Sequence, residues 1–192
     1  FKVGDRVFGA NQAAGPRTGA FAEHCVAGED WLAALPAGVD PNDAAAVALT
    51  GVTAHIGLFE RAQLRAGETV FVNGGTGGVG SLVVQMAKAV GATAITTAGS
   101  PEKVALATEL GADLVVNYKT EDVAEQVKAF TGGKGVNVWY ETQPPTDLDR
   151  TVELMAPRGR VVVMAGRAAR PVFPNGPFYV KGLSLHGFAM FN

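Results

Sequence analysis

Residues 70–90 constrain this chain more than any other stretch. Val70-Phe71-Val72-Asn73 suits a buried strand, five glycines fall within positions 74–80, and apolar residues then recur at 79, 82, 83, 86, 87 and 90, which is helical spacing. The sequence predicts strand, tight glycine turn, helix. A helix start leaves its first backbone N–H groups unpaired and carries partial positive charge, so an anion can settle there if no side chain blocks it. Gly74, Gly77 and Gly80 are spaced for the tight turn, the close approach of a phosphate to the backbone, and the packing of helix on strand. Simple turn chemistry also produces a GxxGxxG run; the flanking strand and helix are what favour a dinucleotide cradle, with Thr76, Gly78 and Val79 inside it.

The rest of the chain supports that choice. Strands are expected at 92–97, 113–116, 136–140, 160–164 and 183–190, alternating with helices at 101–110, 120–130 and 146–155. Such alternation implies an α/β fold, a doubly wound parallel sheet with right-handed crossovers. Upstream, helices are expected over 44–49 and 53–62, and residues 1–35 read as short β structure: Lys2-Val3, Arg6 to Phe8, a Gly/Pro/Arg/Thr loop at 15–19, and a strand over 20–27. So few strands cannot close a sheet alone, so the opening segment reads as part of a larger β domain. Leu35 to Pro41, with two prolines and a glycine, marks the boundary. Arg167 to Pro177, with three prolines, reads as irregular surface.

Composition excludes several functions. Of 192 residues 47% are hydrophobic and 18% charged, enough for a core, and the net charge of −2 implies no general affinity for nucleic acid or anionic membranes. No apolar run is long enough to span a bilayer, no signal-peptide pattern opens the chain, and the single cysteine, Cys25, allows no internal disulfide. A cytoplasmic protein is expected. Glu23, His24 and Cys25 on one strand would alternate faces and could not converge on a metal; His55 and His186 read as packed or surface histidines. No metal site is expected.

The end of the second strand of a dinucleotide-binding unit meets the adenosine ribose, where a carboxylate would select NAD. Here Thr96-Thr97-Ala98-Gly99-Ser100 offers none. Ser100, Lys103 and Tyr118 can donate to a 2′-phosphate, which favours NADP(H), although Ser100 also suits the cap of the helix at Pro101 and Lys103 a solvated surface.

Several segments together resemble the zinc-independent quinone oxidoreductase branch of the medium-chain dehydrogenase/reductase superfamily, the zeta-crystallin-like proteins. They are Phe1 to Val7, Gly19 to Glu23, Leu35-Pro36, Leu49 to Ala54, the glycine turn, Thr97 to Ser100, and Gly159 to Val162. The resemblance implies that residues 1–40 end a GroES-like catalytic domain and that 41–192 form most of a Rossmann domain, with the remainder of both outside this chain. Zinc-dependent members carry a cysteine before the Gly-Val pair, where this chain has Thr50, and a four-cysteine lobe that has no counterpart between Val7 and His24. Asn73-Gly74-Gly75 stands where many members have His-Gly-Ala.

The resemblance further implies that Thr76, Gly77, Gly78 and Val79 contact the pyrophosphate, and Gly99, Ser100, Lys103 and Tyr118 the adenosine phosphate. It brings Met164, Ala165 and Gly166, with Phe188, Ala189 and Met190 in the last strand, toward ribose and nicotinamide, beside Thr53. Met164, Phe188 and Met190 also suit a buried sheet. The implied activity is NADPH-dependent hydride transfer to a quinone or enone, a small-molecule substrate. Alternatives are an enoyl reductase of lipid or polyketide metabolism, and a non-catalytic NADPH-binding or structural protein. No acid–base residue stands out; Tyr140, Tyr179 and Glu141 are weaker candidates that read as structural, and this chain by itself is expected to have little or no activity. A homodimer through the last strand is implied, since pairing removes an exposed edge.

Overall fold

The computed structural model describes residues 1–10 and 19–190. Its contacts divide the chain into two units, Phe1–Val52 and Thr53–Asn192. In the first, β1 (Val7–Gly9) pairs antiparallel with β2 (Leu32–Ala34), Val7 opposite Ala34 and Gly9 opposite Leu32. The loop expected at 15–19 lies outside the described residues except for Gly19.

The division falls within α1 (Pro41–His55). The second unit then forms β3 (Thr69–Asn73), α2 (Gly78–Ala89), β4 (Thr93–Ala98), α3 (Pro101–Glu109), β5 (Leu114–Asn117), α4 (Val123–Phe130), β6 (Val136–Glu141), α5 (Leu148–Leu154), β7 (Met155–Val163), α6 (Asn175–Val180) and β8 (Ser184–Gly187). The six strands β3 to β8 make one parallel sheet in the order β5-β4-β3-β6-β7-β8. The order reverses beside β3, so β3 and β6 part their crossovers to opposite faces and leave a crevice at their carboxyl ends.

Strand alternation builds the two faces. Val70 and Val72 of β3, Val138 and Tyr140 of β6 and Val162 of β7 pack with Val83, Val84 and Ala87 of α2. Phe71, Trp139 and Val161, one residue out of step, pack on the other face with Val127 of α4 and Val152 of α5. Each such fully buried aliphatic side chain contributes about 1.5–3 kcal/mol. Asp side chains start the helices on that second face: Asp122 accepts the N–H of Ala124 at 2.7 Å and of Glu125 at 3.0 Å, and Asp147 accepts that of Arg150 at 3.1 Å.

Five expectations are corrected. Residues 20–27 form bends and irregular chain rather than a strand, and Lys2-Val3 lies outside β1, so the alternation argument about Glu23, His24 and Cys25 has no strand to act on. The helices expected at 44–49 and 53–62 are one, α1, continued by a wider turn over Ile56–Arg61: Thr50 returns its hydroxyl to the Ala46 carbonyl at 3.1 Å and Gly51 is tolerated inside the helix. Strand β7 begins at Met155 rather than 160, with a register shift between Val136 and Val138. Helix α6 lies where irregular structure was expected, because Pro177 falls in its first turn, where no N–H is needed. Last, β8 ends at Gly187, so Phe188, Ala189 and Met190 follow the strand instead of forming it.

Candidate functional site

Strand β3 delivers Asn73 to the carboxyl edge of the sheet, and the chain reverses into α2. Gly74 holds φ at 85°, where a Cβ would also meet Gln143 Nε2 at 2.7 Å and Thr142 Oγ1 at 2.9 Å. The Gly77 N–H closes the turn on the Gly74 carbonyl at 3.1 Å. Gly80 packs the first turn of α2 onto that carbonyl, where a Cβ would lie 2.2 Å from the oxygen. Gly77 brings no capping side chain, and the first α-type bond runs from the Ser81 N–H to the Gly77 carbonyl at 2.9 Å. The N–H groups of Gly78, Val79 and Gly80 therefore lack intrahelical acceptors, and such a helix start could hold an anion.

The turn is tied from beneath. The Gly75 N–H donates to Thr96 Oγ1 at 2.8 Å, and that hydroxyl donates to the Val72 carbonyl at 2.7 Å. The Gly74 N–H donates to Thr97 Oγ1 at 3.2 Å, whose hydroxyl donates to Asn73 Oδ1 at 3.0 Å; Asn73 Nδ2 in turn donates to Glu141 Oε1 at 2.9 Å. Glu141 is only 2% exposed. Burial pushes its carboxyl above the usual range, against the opposing pull of N–H groups from Gln143, Trp139, Asn73 and Thr142. The Thr142 hydroxyl donates to the Asn73 carbonyl.

A cavity of about 910 Å³ opens at this edge. Six expected residues line it: Gly74, Thr76, Gly77, Gly99, Lys103 and Tyr118. The Tyr118 phenol crosses Gly99, where a Cβ would come within 2.4 Å of its oxygen. Lys103 and Arg150 bring positive charge to the wall and Glu121, Asp122, Glu141 and Asp147 bring carboxyl groups, while Phe71 and Trp139, stacked 4.0 Å apart, also line it. Ser100 caps α3, accepting the Lys103 N–H at 3.4 Å, and its hydroxyl holds the Glu102 carboxyl below the usual range.

The remaining expected residues lie off the cavity. Gly78, Val79, Gly80 and Ser100 are not among its lining residues, while Met164 and Phe188 pack partly buried against the α2-side core. Ala165 and Gly166 follow β7, and Ala189 and Met190 follow β8. The Thr53 carbonyl accepts the buried Tyr140 hydroxyl at 2.8 Å, and burial pushes that phenol's pKa up. Tyr179 is exposed. Sequence reasoning missed Asn73, Thr96 and Thr97 as supports of the turn; the readable signal was hydroxyl and amide side chains at the ends of otherwise apolar strands. Among the described residues, no cluster of three His, Cys, Asp or Glu side chains could hold a metal ion.

The family model described as zinc-binding dehydrogenase matches residues 78–192. The chain belongs to the medium-chain dehydrogenase/reductase superfamily. Its relatives place it in the quinone oxidoreductase branch. A quinone oxidoreductase of Pseudomonas aeruginosa is 41% identical over 90% of this chain and 51% of its own length. The quinone oxidoreductase structure from Pseudomonas syringae pv. tomato superposes with a TM-score of 0.86 at 36% identity, covering 99% of this chain and 58% of that one. The Escherichia coli quinone oxidoreductase complexed with NADPH gives 0.75 at 32% identity, over 84% of this chain and 50% of its own. The chain thus spans about half the length of the relatives it matches.

Proposed function

We propose that this chain holds NADP(H) and forms the cofactor-binding part of a cytoplasmic, zinc-independent oxidoreductase that acts on a quinone or an α,β-unsaturated carbonyl. The observation that carries the proposal is the uncapped start of α2, open beside a cavity whose wall carries Gly99, Lys103 and Tyr118 and lacks a carboxylate at the end of β4. The NADPH bound to the E. coli relative supports it. The N–H groups of Gly78, Val79 and Gly80, with Thr76, would hold the pyrophosphate. Lys103 and Tyr118, with the Ser100 hydroxyl, would hold the adenosine 2′-phosphate. Thr53, Met164, Ala165, Gly166, Phe188, Ala189 and Met190 would border the ribose and nicotinamide. The bound cofactor supplies the hydride. The chain's own residues orient the cofactor.

Residues 1–40 would end a GroES-like domain and 41–192 form the nucleotide-binding one. β8 is the edge of the sheet, with Leu185 exposed, and a homodimer pairing this edge is part of the proposal. A monomer in sedimentation at micromolar concentration would remove it.

The decisive test is a titration of NADPH against NADH, with Lys103→Ala alongside. The substitution should weaken NADPH by about tenfold and leave NADH unchanged; equal loss for both would remove the 2′-phosphate assignment. Steady-state NADPH oxidation by the whole protein should then proceed with quinones. Turnover of crotonyl thioesters alone would assign an enoyl reductase, and tight NADPH binding with turnover of neither would assign a binding module.

A further inference from the structure

Glu141 is a buried carboxylate at the edge of the cofactor crevice, and nothing in the proposed hydride transfer uses it. Among the described residues its hydrogen-bond partners are all neutral donors: Asn73 Nδ2 at 2.9 Å and the Gln143 N–H at 2.7 Å on Oε1, Trp139 Nε1 at 3.1 Å on Oε2, and the Thr142 N–H. All of these partners donate, so the carboxyl accepts from each and fixes the amide of Asn73 with Nδ2 toward itself and Oδ1 toward Thr97. The Thr97 hydroxyl must then donate to Oδ1, which leaves its oxygen to receive the Gly74 N–H. The direction of every proton in this row follows from the carboxyl acceptor at its end.

Gly75, the next residue, is tied by a separate row, through Thr96 to the Val72 carbonyl, which never meets Glu141. Gly74 is the residue whose positive φ turns the chain, and its carbonyl is the surface on which Gly77 and Gly80 rest. We infer that Glu141 is a positioning residue that acts through Asn73 and Thr97 on Gly74, setting the turn that presents the α2 N–H groups to the dinucleotide phosphate. The inference deepens the cofactor reading given above and rests on it for its functional consequence.

Amide hydrogen exchange of Gly74 and Gly75, resolved by NMR in the 192-residue chain, tests the row without any cofactor. In Glu141→Gln the charge is lost and the amide must turn a donor toward one of the N–H partners, so Gly74 should exchange about tenfold faster while Gly75 stays within about twofold. Thr97→Val, which removes the last link without touching the core charge, should do the same, and Glu141→Asp should restore most of the protection. Unchanged exchange at Gly74, or equal acceleration at both glycines, would overturn the inference, since general loosening of the sheet would move both. NADPH titration then reads the consequence. Glu141→Gln and Thr97→Val should each weaken binding by about tenfold, and the double variant should be no weaker than the worse single one; additive losses would overturn the coupling. If the parent chain bound neither NADPH nor NADH, the cofactor reading would fall while the exchange result still judged the row.

Discussion

The strand pair β3–β6 carries a carboxylate at each end, and the two are treated in opposite ways. At the amino end Glu68 meets a guanidinium: Arg160 Nη1 and Nη2 reach its two oxygens at 2.8 and 2.7 Å, while Arg160 Nε holds the Ala62 carbonyl at 2.8 Å. Asn137 closes the same end by accepting the Thr69 N–H at 2.9 Å. Burial alone would raise the Glu68 carboxyl, but Arg160 and the Arg65 N–H hold it below its ordinary value. At the carboxyl end Glu141 has only neutral donors, and burial leaves it raised. The difference teaches where a parallel sheet is finished and where it is open. The amino end neutralises its own charge; the carboxyl end keeps unpaired helix N–H groups beside an open cavity.

The strongest way to break the comparison is Gly80→Ala. Its Cβ would strike the backbone of Gly74 and Gly75, which cannot yield as a side chain would, so a loss of about 3 kcal/mol in urea unfolding is expected, with NADPH binding reduced by about a hundredfold or more. Arg160→Ala should come next, at about 2 kcal/mol, because it removes the donor from a partly buried carboxylate and three carbonyls. NADPH affinity should stay within about twofold in that variant, since the amino end is remote from the cradle; a larger change would join what the comparison separates.

A smaller effect is expected at Lys181. Its ammonium donates to the carbonyls of Val152, Glu153 and Met155 at 2.7, 2.9 and 2.8 Å, satisfying the carboxyl end of α5. Desolvation lowers its pKa, with Glu153 opposing, and Lys181→Met should lose about 1 kcal/mol in urea unfolding at neutral pH.

The finest test is the pH dependence of unfolding. Glu68 has a lowered folded value, so its contribution is present above the ordinary 4.5 and is lost as pH falls through that lowered value. Glu141 has a raised one, so its contribution is present below 4.5 and is lost as pH rises through the raised value. Urea unfolding from about pH 3 to pH 7 should show Glu68→Gln flattening the acid side of the profile and Glu141→Gln flattening the side above it. Both variants flattening the same side would refute the contrast.

Much of this was legible locally. The Val70-Phe71-Val72 run, the glycines after it and the helical spacing from 79 to 90 placed β3, the turn and α2, because each depends on neighbours within a turn or a pleat. Ser100-Pro101 announced the start of α3 for the same reason. The prolines before Pro177 hid α6, and Thr50-Gly51 hid the continuity of α1, since tertiary packing outweighs the modest propensities involved.

What the sequence determined alone was the alternation of strands and helices from β3 to β6, their parallel arrangement and the backbone freedom of the glycine turn, all properties of short periods and of residues without a Cβ. The strand order, the cavity, and the joining of Gly74 to Glu141 through Asn73 and Thr97 belong to the tertiary structure. Glu141 and Asn73 lie 68 residues apart, and only the pairing of β3 with β6 brings them within a hydrogen bond and buries the charge there. Local sequence cannot encode a desolvation that neighbouring strands create.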